Sequence, residues 1–422
     1  MDAIYRRRVL DEVLDDVAGE LPAIEIFGAK GVGKTETARR RAATVIALDD
    51  PVERDLLAGD PDRVRRVDHP LLLDEWQRFP RSWDLVRRAV DDHDGSYLLT
   101  GSSVPAEAPT HSGAGRMVSY RMRPLSLAER GIDRPTVSLS ALFDGDDKID
   151  GHTELGLPHY ANEITGSGFP DLHGLSVRSR SARLEGYVHS IVQRSFPEQG
   201  LAVRKPQALR DWLTAYAAAT STTTTYQRIL KAATPGDGDP PSRQTADSYR
   251  AVLEQLWLLD PLPAWQPSRN RLNRLARSPK HQLADPALAA HLLGVSASAL
   301  LRGSEGSRPT LYEGALLGAL FENLVAQSVQ VYAQITDARV FHMRSDSGDR
   351  EIDIIVEHPD GRVIAIEVKV TQNPSSRDVR HLLWLKEELG ETLTDVLVIT
   401  PGPWAHRRED GVAVVPAALL GP

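Results

Sequence analysis

Cysteine is absent from the 422 residues. Disulfide frameworks, thiolate metal sites and cysteine nucleophiles are therefore excluded. Long apolar runs are also missing, and no stretch approaches the roughly 20 residues that a membrane helix needs. The first residues, Met1 to Arg8, lack the apolar core of a secretory signal. This pattern predicts a cytoplasmic protein with no membrane partner. Positive charge is in deficit, with 50 Lys and Arg against 58 Asp and Glu and a net charge of −8. The molecule as a whole is no polycation, so any contact with nucleic acid has to be local. There is no internal repeat. What remains is globular in composition, 41% hydrophobic and 26% charged, in a chain too long for one ordinary core.

One stretch organises the rest: Gly28-Ala29-Lys30-Gly31-Val32-Gly33-Lys34-Thr35. It has the G-x-x-x-x-G-K-T spacing of a phosphate-binding loop. An alternating apolar run, Ala23 to Phe27, precedes it and predicts a strand. Glu36 to Ala42 follows and predicts a helix. Glycines let the backbone close around phosphates with its N–H groups inward. The helix N-terminus adds donors and a positive dipole end. Lys34 would then reach the β- and γ-phosphates of ATP, and the Thr35 hydroxyl would bind Mg²⁺.

Further along, Leu71-Leu72-Leu73 predicts a strand buried on both faces, as in a parallel sheet. The pair Asp74-Glu75 closes its C-terminal end, where ligands sit in open α/β sheets. This looks like a Walker B motif. Asp74 would hold Mg²⁺, directly or through water, and Glu75 would orient and polarise the attacking water. Ser96 to Thr100 predicts another buried strand, followed by Gly101-Ser102-Ser103. A polar residue there would stand between the phosphate loop and the Asp74 strand. Thr100 and Ser102 are the candidates to touch the γ-phosphate or the water; an ordinary strand-end turn built on Gly and Ser is the competing reading. Residues 5–20 and 83–92 have helical spacing, Thr44 to Leu48 reads as a strand, and Met117 to Met122 predicts a fifth.

The order of these parts resembles the prokaryotic AAA-type ATPases. The match runs through the phosphate loop, LLLDE, LLTGSS, Gly115-Arg116 and Arg123-Pro124-Leu125-Ser126-Leu127-Ala128-Glu129. More narrowly, it resembles the subgroup joined to a C-terminal domain of unknown function 4143. The resemblance covers nearly the whole chain and is strongest at 20–130 and 310–372. It implies an ATPase that uses ATP and Mg²⁺. It also implies that an arginine placed like Arg116 is an arginine finger reaching the γ-phosphate in a neighbouring subunit, so a homo-oligomer is a candidate partner. Arg121 and Arg123 compete for that role, and a surface arginine is the plain alternative.

Residues 131–200 carry no assignable chemistry; Ser181 to Phe196 has amphipathic helical spacing. Residues 201–280 contain 12 Lys and Arg against 6 Asp and Glu, a local +6. Three helical runs (209–219, 226–233 and 242–258) precede an extended Leu259 to Trp265, with Ser242 placed as an N-cap. Helix, helix, helix, short strand is the order of a winged helix-turn-helix, and the family resembled also looks winged-helix-like here. Arg243, Gln244, Thr245 and Arg250 would face a DNA or RNA backbone or base. Packing between domains is the competing use. The basic stretch 269–280, with Arg269, Arg271, Arg274, Arg277 and Lys280, adds to the case for a polyanion.

The last part begins helical, with Glu322 on a long helix. Arg350 to Val356 and Val363 to Val370 alternate with period two around a Pro359-Asp360-Gly361 turn. Ile352, Ile354 and Val356 are expected on one face, and Glu351, Asp353 and Ile355 on the other. The turn makes an antiparallel hairpin that brings Asp353 opposite Glu367 within one residue. D…E-x-K on such a hairpin is the spacing of the PD-(D/E)xK nuclease superfamily. Asp353 and Glu367 would bind a divalent cation, with Glu322 or Glu351 as a further ligand, and Lys369 would position or activate water.

The expected fold is α/β throughout. A P-loop AAA-type parallel sheet (1–135) leads through a helical connector (136–200) and a winged-helix-like part (201–280) to a restriction-endonuclease-like α/β domain (281–422). Two function classes follow. One is an ATPase acting on or with nucleic acid through a nuclease-like module. The other is an ATP-gated switch or scaffold whose nuclease-like fold is inactive and binds a protein partner.

Overall fold

Leu71, Leu72 and Leu73 have no exposed surface in a computed structural model of the chain. The model describes residues 5–105, 110–201, 203, 205–234, 242–266, 277–305, 313–345 and 348–422. The three leucines form β3 (Leu71–Asp74) of a five-stranded parallel sheet with β1 (Ala23–Phe27), β2 (Thr44–Ala47), β4 (Tyr97–Gly101) and β5 (Val118–Arg121), in the order β2-β3-β4-β1-β5. Alternation sends successive side chains to opposite faces. Leu72 packs with Ile24, Ile26 and Leu98 on one face. Leu71 and Leu73 pack with Ile46, Tyr97 and Leu99 on the other. Because all strands are parallel, Gly28, Asp74 and the end of β4 emerge at one edge, with β4 between the Asp74 strand and the phosphate-loop strand as the sequence predicts.

The middle contains helices Pro206–Ala218, Tyr226–Ala232 and Arg243–Gln255, followed by the short β8 (Ala264–Trp265). Two short strands come earlier, β6 (Val137–Ser138) and β7 (Gly151–His152). The expected helix order is present. Ser242 Oγ accepts from Thr245 N at 3.1 Å, which caps the third helix. Arg269, Arg271 and Arg274 lie outside the described residues.

The second sheet has eight strands in the order β7-β13-β14-β12-β11-β10-β9-β8, with β9 (Arg339–Arg344), β10 (Glu351–Glu357), β11 (Val363–Val368), β12 (Leu393–Thr400), β13 (Trp404–Arg407) and β14 (Ala413–Pro416). A further strand, β15 (Leu420–Gly421), pairs with β6. Segment 136–200, expected as a helical connector, therefore also supplies an edge strand of the C-terminal sheet and a partner for the chain's last strand. β10 and β11 form the expected hairpin, with Ile354 opposite Ile366 and Val356 opposite Ile364. Just past the Ile354–Ile366 pair, Asp353 Oδ2 accepts from Val368 N, the residue after Glu367, at 3.0 Å.

The faces differ from strict alternation at one point. Ile354 and Val356 pack with Leu317, Leu320 and Phe321 of the long helix Glu313–Tyr332. Ile352 instead joins Ile355, Val379 and Leu382 on the opposite side. Pairing between β10 and β9 slips between Ile352 and Ile355, and such a bulge inserts one residue and reverses the face. Helix Ser376–Leu389 covers that second face.

A narrow ribbon joins the two sheets. Leu262 N donates to Lys280 O and Lys280 N to Leu262 O, both at 2.9 Å, and Asp260 N donates to Gln282 O at 2.9 Å.

Candidate functional site

The phosphate loop is shaped by its glycines, one of which has no room for a side chain. Gly28 has φ 149°, and a Cβ there would lie 2.1 Å from Met122 O. Gly31 and Gly33 take the left-handed region at φ 86° and 103°. Val32 lies between them, fully buried. Lys34 opens helix Lys34–Arg39, and its ammonium donates to Gly28 O and Ala29 O, both at 2.9 Å. Burial pulls its pKa down to about 8, while Glu75 and Asp74 act in the opposite sense.

Asp74 is the meeting point of the ends of β3 and β4 and the first turn of helix Lys34–Arg39. Thr35 Oγ1 donates to Asp74 Oδ1 at 2.8 Å, and the Thr100 hydroxyl donates to the same oxygen. Thr100 Oγ1 also accepts from Glu75 N at 3.3 Å. Glu75 has a left-handed backbone, φ 54°, a conformation uncommon for a residue with a Cβ. Its carboxylate accepts from Ser102 Oγ at 2.8 Å and from Gln77 Nε2 at 2.5 Å. The structure thus brings together Lys34, Thr35, Asp74, Glu75, Thr100 and Ser102. Mg²⁺ fits this donor set, since a hydroxyl and a carboxylate side by side are the hard oxygen ligands that the ion prefers.

The three arginines separate. Arg116 precedes β5, which runs parallel to β1, so it sits at the sheet edge opposite the phosphate loop. There its Nε donates to Asp91 Oδ1 at 2.7 Å. It cannot reach its own chain's loop from that edge. Arg121 and Arg123 lie at the loop end, where Arg121 Nη1 and Arg123 Nε donate to Asp260 at 2.8 and 2.7 Å. Asp260 is buried; its carboxyl would be raised by burial but is held below the usual range by the two guanidiniums.

In the C-terminal sheet, Asp353, Glu367 and Lys369 converge as expected, with Glu322 and Glu351 beside them. Lys369 Nζ lies 2.5 Å from Glu367 Oε2 and 3.6 Å from Asp353 Oδ2. Val368 N donates to Asp353 Oδ2 at 3.0 Å. At the centre stands Lys280, whose side chain has no exposed surface. Its Nζ lies 2.9 Å from Glu322 Oε1, 3.2 Å from Glu351 Oε1 and 3.2 Å from Asp353 Oδ1. Where a divalent cation is expected on Asp353 and Glu367, Asp353 meets the ammoniums of Lys280 and Lys369, and Glu367 that of Lys369. Lys280 is there because one strand of the connecting ribbon runs directly over the hairpin. As they stand, these residues do not fit a metal at that point. Burial, and then the Asp353 charge, push Glu367 up to about 9. Burial likewise raises Glu322, to about 8. Asp353 goes the other way, held low against its burial by Lys280 and Lys369.

An AAA-domain family model matches residues 21–130. Models for two domains of unknown function match residues 158–299 (DUF8612) and 317–420 (DUF4143). The chain carries an AAA domain and a C-terminal DUF4143 domain. Among solved structures, a point variant of RuvB from Thermotoga maritima aligns at 13% identity over 63% of this chain and 91% of its own, with a TM-score of 0.25. No curated protein matches. An AAA domain supports an ATPase. No helix among the described residues is long and apolar enough to cross a membrane.

Two residues tied to these sites carry no motif. Arg8, ahead of the AAA domain, donates to Val32 O in the phosphate loop at 2.7 Å and to Glu129 Oε1 at 3.1 Å. Glu129 in turn accepts from Ser126 N at 2.8 Å and Val9 N at 2.7 Å. The Ser126-to-Glu129 stretch therefore braces the AAA loop from below. Lys280 is the other, 73 residues before Asp353 in the DUF4143 hairpin. In sequence it reads only as part of a basic run.

Proposed function

We propose that the protein binds MgATP, hydrolyses it, and uses the cycle as a switch rather than to power a metal nuclease. The cluster at Asp74 supports this reading, because two strand ends and a helix N-terminus deliver hydroxyls, a carboxylate and a left-handed Glu75 to one point. Lys34 would exchange its two carbonyl partners for phosphate oxygens, whose negative charge favours its ammonium form. Thr35 and Asp74 would hold Mg²⁺, which when bound neutralises phosphate charge. Ser102 and Gln77 fix the carboxylate of Glu75, which would align the attacking water. Thr100 links Asp74 to the Glu75 backbone and so would register the state of the nucleotide. ATPase assays on purified variants test this. Lys34→Ala should abolish turnover. Glu75→Gln should keep ATP binding and lower turnover by roughly 10²–10⁴-fold. Wild-type turnover in Lys34→Ala sinks the assignment.

A second reading concerns DNA or RNA. It rests on the local +6 of residues 201–280 and on the capped helix Arg243–Gln255, where the Arg243 side chain is 82% exposed at the first turn. Arg250 is less available, since it stacks 4.5 Å from the Tyr226 ring. Contacts to three to five phosphates predict a log–log salt slope of roughly −3 to −5. Charge reversal at Arg271 and Arg274 should flatten it. No binding to duplex or single strands at low salt removes this reading.

A further inference from the structure

We propose that Lys280 is a resident cation, standing in for a divalent metal in the DUF4143 acidic cluster and masking a latent metal site. An ammonium has three N–H donors and no acceptor. The Lys280 ammonium meets three carboxylate oxygens from two elements, Glu322 of the long helix Glu313–Tyr332 and Glu351 and Asp353 of β10, at 2.9, 3.2 and 3.2 Å. Its side chain is sealed from solvent, and two backbone hydrogen bonds to Leu262 hold its strand in place. The second oxygen of Asp353 is also taken, by Val368 N at 3.0 Å and by Lys369 at 3.6 Å. Both faces of the carboxylate that the hairpin offers to a metal are therefore engaged by the chain itself. A divalent ion drawn to the same oxygens would have to share their centre with a fixed positive charge, which like-charge repulsion at this spacing forbids. Remove the ammonium, and Glu322 and Asp353, largely buried, remain with the 38% exposed Glu351 as a set of hard oxygen donors, the chemistry that Mg²⁺, Mn²⁺ and Ca²⁺ select. The cluster is thus held together by charge from within the chain, and the domain folds without metal. This inference is independent of ATP turnover.

The test is Mn²⁺ binding to the full chain without nucleotide, read by electron paramagnetic resonance and by the melting temperature with and without Mn²⁺. Wild type and Asp353→Asn should leave the same amount of Mn²⁺ free. Lys280→Ala should gain one bound Mn²⁺ per chain and melt higher when Mn²⁺ is added, and both effects should vanish in Lys280→Ala/Asp353→Asn. One equivalent of Mn²⁺ bound by wild type and lost in Asp353→Asn overturns the proposal, and so does a folded Lys280→Ala that binds none. If Lys280→Ala fails to fold, the comparison of wild type with Asp353→Asn decides alone. Turnover of ATP stays out of the readout, so failure here leaves the ATPase reading untouched.

Discussion

Replacing Asp260 by Asn should destabilise the protein far more than an ordinary surface change. The carboxylate is buried and receives Arg121 at 2.8 Å and Arg123 at 2.7 Å, with Arg121 and Arg123 side chains 21% and 14% exposed. Burial already presses the Arg121 guanidinium down to about 10. Asp260→Asn would leave two guanidiniums facing a neutral group. Removing one partner of a buried pair costs about 3–5 kcal/mol, while replacing the whole set with apolar residues is neutral or stabilising. Unfolding entropy is about 2.1 cal/mol/K per residue near 60 °C, so for 422 residues melting as one unit this cost lowers the melting temperature by about 3–6 °C. Differential scanning calorimetry reads this directly. The triple variant Arg121→Met/Arg123→Met/Asp260→Leu should recover most of the loss. A shift under about 1 °C for Asp260→Asn, or a triple variant as unstable as the single one, refutes the reasoning.

If Arg116 acts on a neighbour's nucleotide, mixing Arg116→Ala with Lys34→Ala should restore some turnover through hybrid interfaces. Turnover per chain that stays constant down to monomeric concentrations, followed by light scattering, counts against it. The raised Glu367 gives stability its own pH dependence. Its folded carboxyl keeps a proton up to about 9, where the unfolded one loses it near 4.5. That contribution is complete below the unfolded value and fades as pH rises toward the folded one. Melting temperatures across this window should fall in wild type and stay flatter in Glu367→Gln, which carries the neutral form permanently. An equal fall in both proteins contradicts the assignment.

The nucleotide end was readable because its parts are contiguous. Gly28 to Thr35 is one run, and Asp74, Glu75, Thr100 and Ser102 each follow an apolar strand that stops where the sheet edge must be. The hairpin register was readable for the same local reason, since a short turn leaves few ways to pair Asp353. What could not be read are meetings across long stretches of chain. Arg8 finds Glu129 from 121 residues away, and Lys280 finds Asp353 across 73. Neither contact leaves a period or a spacing behind. The displaced face of Ile352 is a smaller case, because a bulge depends on the neighbouring strand. The strands β6 and β7 escaped notice because two residues carry no alternation and are held only by partners near the end of the chain.

The ribbon between Leu262 and Lys280 bears on where the chain can be cut. Its one strand carries Asp260, answering two arginines beside the phosphate loop. Its other strand carries Lys280, answering two carboxylates of the far sheet and one of the long helix packed on it. A fragment beginning at residue 281 would keep Glu322, Glu351 and Asp353 but lose the ammonium they surround. A fragment ending before 258 would keep Arg121 and Arg123 but lose their carboxylate. Each half would inherit an unbalanced buried charge of opposite sign. The two sheets are therefore electrostatic complements that share one short piece of backbone, and neither is a self-sufficient module at the boundary that composition alone would choose.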